Sequence, residues 1–117
     1  MVAIELLIMD NDGNFALVKK NNGWALPGGY LGLNESFNQA GQRIIKKQLG
    51  EKVKLTRIEF LKVFNLPEKV HGQGQGHAVV LVFKYREMKK TNSVHYFKNI
   101  PRDTLKHHKA MITEILK

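Results

Sequence analysis

The stretch Trp24-Ala25-Leu26-Pro27-Gly28-Gly29-Tyr30-Leu31-Gly32-Leu33-Asn34-Glu35-Ser36-Phe37-Asn38-Gln39-Ala40-Gly41-Gln42-Arg43-Ile44-Ile45-Lys46-Lys47-Gln48-Leu49-Gly50 decides the fold of this chain. Its second half reads as a helix from Ser36 to Leu49. Ser36 and Gln39 have capping-box spacing, so each side chain can satisfy a free amide of the first turn. Phe37, Ala40, Ile44, Ile45 and Leu49 recur at helical spacing and form a face for a core. Gly50 stands where helices often end in a left-handed residue. Gly41 costs a helix interior about 1 kcal/mol relative to Ala, which points to close backbone packing there. Ahead of the helix, Trp24-Ala25-Leu26 is extended and Pro27-Gly28-Gly29 reads as a breaker.

Outward from this stretch the chain reads mainly as strands. Val2 to Met9 is a mostly buried strand, followed by a turn at Asp10-Asn11-Asp12-Gly13 and a second strand from Asn14 to Lys19. Asn21-Asn22-Gly23 is another turn. Beyond the helix, Val53 to Phe64 suggests a long strand with a bulge, and Asn65 to Gly76 a glycine-rich loop. His77 to Tyr85 is rich in Val and Phe and reads as a central strand. Arg86 to Asn92 is a basic connector, Val94 to Phe97 a short strand, and Pro101 can open a helical turn. Lys106 to Leu116 is amphipathic through Ala110, Met111, Ile112, Ile115 and Leu116. Strands, a helix, more strands and a terminal helix make an α+β pattern, and a length of 117 residues predicts a single domain over residues 1–117.

The balance of 19 Lys and Arg against 10 Asp and Glu leaves a formal net charge of +9. Such an excess attracts anions, which points to a phosphate-rich small ligand. No zinc-finger spacing or RNP-type aromatic motif supports nucleic acid. No apolar run approaches the roughly eighteen residues of a transmembrane helix, and the first strand contains Glu5 and lacks a basic leader. Cysteine is absent, which excludes disulfides and thiolate metal sites and fits a reducing cytoplasm.

The opening stretch resembles the signature of the Nudix hydrolases, G-x5-E-x7-R-E-U-x-E-E-x-G-U with U a bulky aliphatic residue. Gly29, Glu35, Arg43, Ile45 and Gly50 fall in register, and W-x-L-P-G-G precedes them. The resemblance covers nearly the whole chain, with His95-Tyr96-Phe97 through Pro101-Arg102-Asp103-Thr104-Leu105 similar to the closing strand and helix. It implies a mixed β-sheet sandwiched between helices, with the signature helix on one face. It also implies a structural set of Gly28, Gly29, Glu35, Arg43 and Gly50, in which Glu35 pairs with Arg43 and the two glycines admit geometry that a Cβ would forbid.

The family holds Mg²⁺ against a pyrophosphate through glutamates that share a helix face. Their places here hold Ile44, Lys47 and Gln48. Neither Ile nor Lys is an oxygen ligand, and Gln offers only a neutral carbonyl. A Lys ammonium about 4 Å from a cation costs roughly 4 kcal/mol per unit charge at an effective dielectric near 20. The family's Mg²⁺ is therefore not expected at Ile44, Lys47 and Gln48.

Two routes remain. Lys47, with Arg43 near it, can hold a ligand phosphate in place of a metal, and Trp24, Phe64 and Tyr30 can stack on a base or sugar. Alternatively, a resemblance to the GDP-mannose hydrolase branch, carried by G-H-A-V-V-L-V-F around His77 and by His107-His108, implies a catalytic base at His107 or His108. His71, His77 and His95 have no spacing typical of a metal site. Both routes imply a domain that recognises a nucleoside diphosphate linked to another moiety, a nucleotide sugar or an ADP-ribose-like molecule. In one it hydrolyses the pyrophosphate or glycosyl-phosphate bond through an altered site. In the other it is a catalytically inactive nucleotide-binding or protein-interaction module.

Overall fold

The computed structural model describes residues 2–21, 23–50, 53, 58–66, 78–86 and 94–117. Among them the chain forms β1 (Val2–Met9), β2 (Phe15–Lys20), β3 (Gly23–Ala25), β4 (Gly28–Tyr30), α1 (Phe37–Gln48), β5 (Glu59–Leu66), β6 (Ala78–Arg86), β7 (His95–Phe97) and α2 (Lys106–Ile115). The seven described strands make one sheet in the order β3-β2-β1-β6-β5, with β4 also pairing β1 and β7 pairing β2. β1 runs parallel to β6 and antiparallel to β2 and β4, so the sheet is mixed. No helix among the described residues is long and apolar enough to cross a membrane.

The α+β expectation holds, and its cause lies in β1. From Ala3 to Ile8 every residue is buried, because both faces of this central strand are covered. Ile4, Leu6 and Ile8 pack with Ala40, Ile44 and Ile45 of α1 and with Leu49, its C-cap. Ala3 and Leu7 pack with Leu17, Leu26, Val80, Val82 and, from α2, Met111 and Ile112. Each buried Leu, Ile, Val or Met side chain among these contributes about 1.5–3 kcal/mol. One helix therefore covers each face of the sheet.

α1 forms as its sequence predicts. The Ser36 hydroxyl accepts from the Gln39 amide at 3.0 Å, and Gln39 Oε1 accepts from the Ser36 amide at 2.8 Å. The helix stops at Gly50, whose φ is 120°. Gly41 has a packing cause: a Cβ there would collide with the Tyr85 hydroxyl on β6.

Several expectations are corrected. Pro27-Gly28-Gly29 is not simply a breaker, since Gly28–Tyr30 pairs with β1 as a short strand. Phe37, expected in the core, is 44% exposed, and its ring leans on Phe83 at 5.2 Å between centroids. Ala110 is exposed while His108, three residues past the N-cap, is buried, so the buried face of α2 starts earlier than the apolar pattern indicates. By contrast, the expected bulge is present as a register shift between Phe60 and Lys62 of β5, while residues 54–57 of the expected strand lie outside the described residues. The expected glycine-rich loop and basic connector lie, apart from Asn65, Leu66 and Arg86, outside the described residues.

Glu5 breaks the apolar run of β1 and is only 5% exposed. Its Oε2 has no hydrogen-bond partner, and burial pushes its pKa up to about 8, against the opposing charge of Lys20. It is therefore held as a neutral acid at neutral pH. The unfolded chain binds fewer protons than the folded one between about pH 4.5 and 8, so stability falls across that window as pH rises.

Two predictions follow from this packing. Gly41→Ala gains helix propensity of about 1 kcal/mol but should still lower stability by about 1–3 kcal/mol in urea unfolding, through overpacking against Tyr85. Adding Tyr85→Phe, which deletes the offending hydroxyl, should recover most of that loss. Glu5→Gln should remove a slope of up to about 1.4 kcal/mol per pH unit between pH 4.5 and 8, leaving a flatter profile than the wild type.

Candidate functional site

The segment from β4 into α1 is held by two sets of polar contacts. The first is a fork. Arg43 Nε donates to Glu35 Oε2 at 2.7 Å, while Nη2 donates to Glu35 Oε1 at 2.9 Å and to the Tyr30 carbonyl at 2.8 Å. Glu35 Oε1 also accepts from the Gly32 amide at 2.8 Å. The Arg43 hydrogen bonds, helped by the Gly32 amide, lower the Glu35 pKa to about 2. A carboxylate depressed in this way supports the fold above its ordinary range and loses that effect only as pH falls toward 2. The fork ties the loop to the second turn of α1.

The second set lies at Gly28. Gln48 Oε1 accepts from the Gly28 amide at 3.1 Å, and Gln48 Nε2 donates to the Gly28 carbonyl at 2.7 Å. Gly28 has no room for a side chain, because a Cβ would collide with the Glu5 carboxyl and the Ile4 carbonyl. The neighbouring Gly29 differs: a Cβ there would meet only Ile44, at 3.8 Å. The expectation that both glycines exclude a Cβ thus holds at Gly28 alone.

These contacts decide whether the family's metal fits the residues present. Ile44 is 1% exposed and belongs to the core. Lys47 is exposed in the last turn of α1 beside Lys46, where a cation is favoured by the helix dipole. Gln48 has its carbonyl and amide both committed to Gly28. An apolar core residue, a cation and an engaged neutral amide do not make a site for Mg²⁺, which needs free oxygen ligands in octahedral geometry. Among the described residues no group of three or more His, Asp or Glu is placed to hold a metal ion.

The remaining candidates are dispersed. Arg43 and Lys47 stand on the helix that covers one face of the sheet, whereas Trp24, Tyr30 and Phe64 pack at the margin of the core on the other. Trp24 has Lys19 Nζ over its ring at 4.8 Å, with the rings of Phe97 and His95 edge-on at 4.9 and 5.6 Å. Lys19 in turn bonds Asp103 at 3.0 Å. Phe64 has Lys62 Nζ over it at 5.5 Å. The sheet separates the four ligand candidates Arg43, Lys47, Trp24 and Phe64 into two groups.

His108 is 4% exposed and its Nδ1 accepts from the Leu26 amide at 3.1 Å. In the neutral ring the hydrogen is then on Nε2, so neither nitrogen offers a lone pair to a substrate proton. The contact joins α2 to the residue just before Pro27, a packing role the sequence reading did not anticipate. His107 is half-buried, its ring 4.4 Å from that of His108. His95 is exposed, and His71 and His77 lie outside the described residues.

Sequence reasoning missed Glu5 and the dual contact of Gln48. A lone acid inside Val2–Met9 was the available signal for the first. Nothing in the sequence signals the second, since it depends on how closely the end of α1 approaches β4.

The sequence matches no family model and no curated protein. Solved structures do match over nearly the whole chain. A MutT Nudix hydrolase from Burkholderia pseudomallei aligns with a TM-score of 0.73 at 21% identity, covering 99% of this chain and 97% of that one. A UDP-X diphosphatase gives 0.69 at 19% identity, covering 99% of this chain; the chain spans only 61% of that protein's length. The Nudix domain of Shewanella oneidensis NrtR, solved in complex with ADP ribose, gives 0.61 at 19% identity, covering 100% of this chain and 88% of that domain. At these identities the likeness establishes architecture, and the architecture of this chain is the Nudix fold.

Proposed function

We propose that this chain binds a nucleoside diphosphate linked to another moiety, of the nucleotide-sugar or ADP-ribose kind, and does so without a divalent metal. The ligand class is supported by the fold, by the NrtR Nudix domain bound to ADP ribose, and by the net charge of +9. The observation that carries the metal-free reading is the state of the three replaced positions: Ile44 in the core, Lys47 in solvent and Gln48 bonded to Gly28. Pyrophosphate charge must be neutralised by something, and the exposed Lys47 ammonium is the group at those positions that can do so. It supplies a point charge and three donors but neither a Lewis-acid centre nor an acidified water.

This favours a binding module over a hydrolase. Hydrolysis through the altered site would need a base, and the sequence offers His107 or His108. His108 has its Nδ1 occupied and its ring buried, which leaves His107 as the residue that reading depends on. A module of this kind would report the presence of its ligand through stability or partner contacts rather than consume it.

Affinity measured in EDTA for ADP-ribose and for nucleotide sugars tests the proposal. Wild-type protein should bind at least one of them without turnover, and Lys47→Glu should weaken binding about tenfold or more, roughly 1.4 kcal/mol. Affinity unchanged by Lys47→Glu would remove Lys47 from the site. Steady release of a nucleoside monophosphate, abolished by His107→Ala, would establish the hydrolase instead.

A further inference from the structure

Gly28 lies in a short strand paired with β1 on one side only. The pairing with β1 runs through its neighbours: the Leu6 amide donates to the Pro27 carbonyl at 2.8 Å, and the Leu31 amide to the Val2 carbonyl at 2.9 Å. The amide and carbonyl of Gly28 itself are taken by Gln48, at 3.1 and 2.7 Å. An amide side chain is both acceptor and donor, so it completes both groups, much as a further strand would. On the other side the Glu5 carboxyl fills the space that a Cβ of Gly28 would need. Gly28 is therefore fixed by side chains from two elements, and Gln48 is the one that reaches it from the helix.

We infer that the Gln48 amide stands where a hard cation would otherwise join the helix to the Gly28 carbonyl, which makes Gln48 the positioning residue of this junction and frees the junction from metal. The distances support this. Nε2 lies 2.7 Å from the Gly28 carbonyl oxygen. Adjacent ligands of an octahedral ion with bonds of 2.0–2.1 Å are about 2.9 Å apart. A carboxylate oxygen in place of Nε2 would thus form, with the carbonyl, one edge of a Mg²⁺ or Mn²⁺ shell. Without the ion the same two oxygens would repel. With the amide present, the carbonyl has its donor and the nitrogen offers no lone pair to a metal, so the helix is joined to Gly28 without a cation.

This inference goes beyond the ligand reading and does not rest on it, because its test contains no nucleotide. Thermal unfolding of the full chain is measured for wild type, Gln48→Leu, Gln48→Glu and Lys47→Glu/Gln48→Glu, in EDTA and across a Mn²⁺ titration. Wild-type Tm should be the same in both media. Gln48→Leu should unfold about 5 °C lower or more, and Mn²⁺ should not change that. Gln48→Glu should also unfold lower in EDTA, and in Lys47→Glu/Gln48→Glu, where the adjacent ammonium is also replaced by a carboxylate, Mn²⁺ should restore most of that loss. Gln48→Glu as stable as wild type in EDTA, or the double variant indifferent to Mn²⁺, would overturn the inference. Should that variant fail to fold in EDTA, amide exchange at Gly28 in the wild type decides: equal protection with and without Mn²⁺ supports the amide tie, and slower exchange with Mn²⁺ refutes it.

Discussion

The contact on which the rest of this structure depends is the pair of hydrogen bonds between Gln48 and Gly28. It closes a loop that begins on a sheet strand and returns on a helix. Residues between the two ends are then arranged by shorter-range forces. Glu35 bridges the Gly32 amide and the Arg43 guanidinium, and Ser36 and Gln39 cap the helix reciprocally. Behind this loop the buried face of α1 seals one side of β1. A neutral amide suits the position because both groups of Gly28 need partners and only a side chain with a donor and an acceptor supplies them at once.

The same contact separates architecture from chemistry. A glutamate at this place could satisfy only the Gly28 amide and would set negative charge against the carbonyl, which is tolerable with a cation between them. Gln48 needs no cation. Ile44, which a metal site would need as a carboxylate, contributes instead to the core, and Lys47 reverses the charge. In the proposed metal-free reading, Ile44, Lys47 and Gln48 all act in one direction, toward a loop and helix that stand without a cation. Arg43 is not a free anion-binding group in this arrangement, since its Nε and Nη2 are engaged by Glu35 and Tyr30. That concentrates the electrostatic case for phosphate on Lys47.

Much of the fold was legible in the sequence because it is written in local rules. The capping pair Ser36 and Gln39, the apolar spacing through Ile44 and Ile45, and the mostly apolar run of Val2–Met9 each specify an element by periodicity or side-chain reach. Even Gly41 carried its message, since an unfavourable helix residue implied the close approach that Tyr85 makes. What was not legible depends on contacts between distant segments. His108 stood as a candidate catalytic base, but its ring is buried and accepts from the Leu26 amide 82 positions away. Pro27-Gly28-Gly29 read as a breaker because pairing with β1 leaves no local trace. The candidate ligand groups seemed to belong together, yet Arg43 and Lys47 stand on the helix that covers one face of the sheet, while Trp24 on β3 and Phe64 on β5 pack against the core of the other. Glu5 gave the converse case, a visible irregularity whose consequence required knowing what lay against it.

The central claim is that this Nudix scaffold recognises its ligand without a metal ion. The most direct measurement is calorimetric titration of the protein with ADP-ribose in EDTA and again in millimolar Mg²⁺. The account predicts binding in both, with the same Kd and the ligand recovered intact. Binding that requires Mg²⁺, or ligand cleaved during the titration, would contradict it.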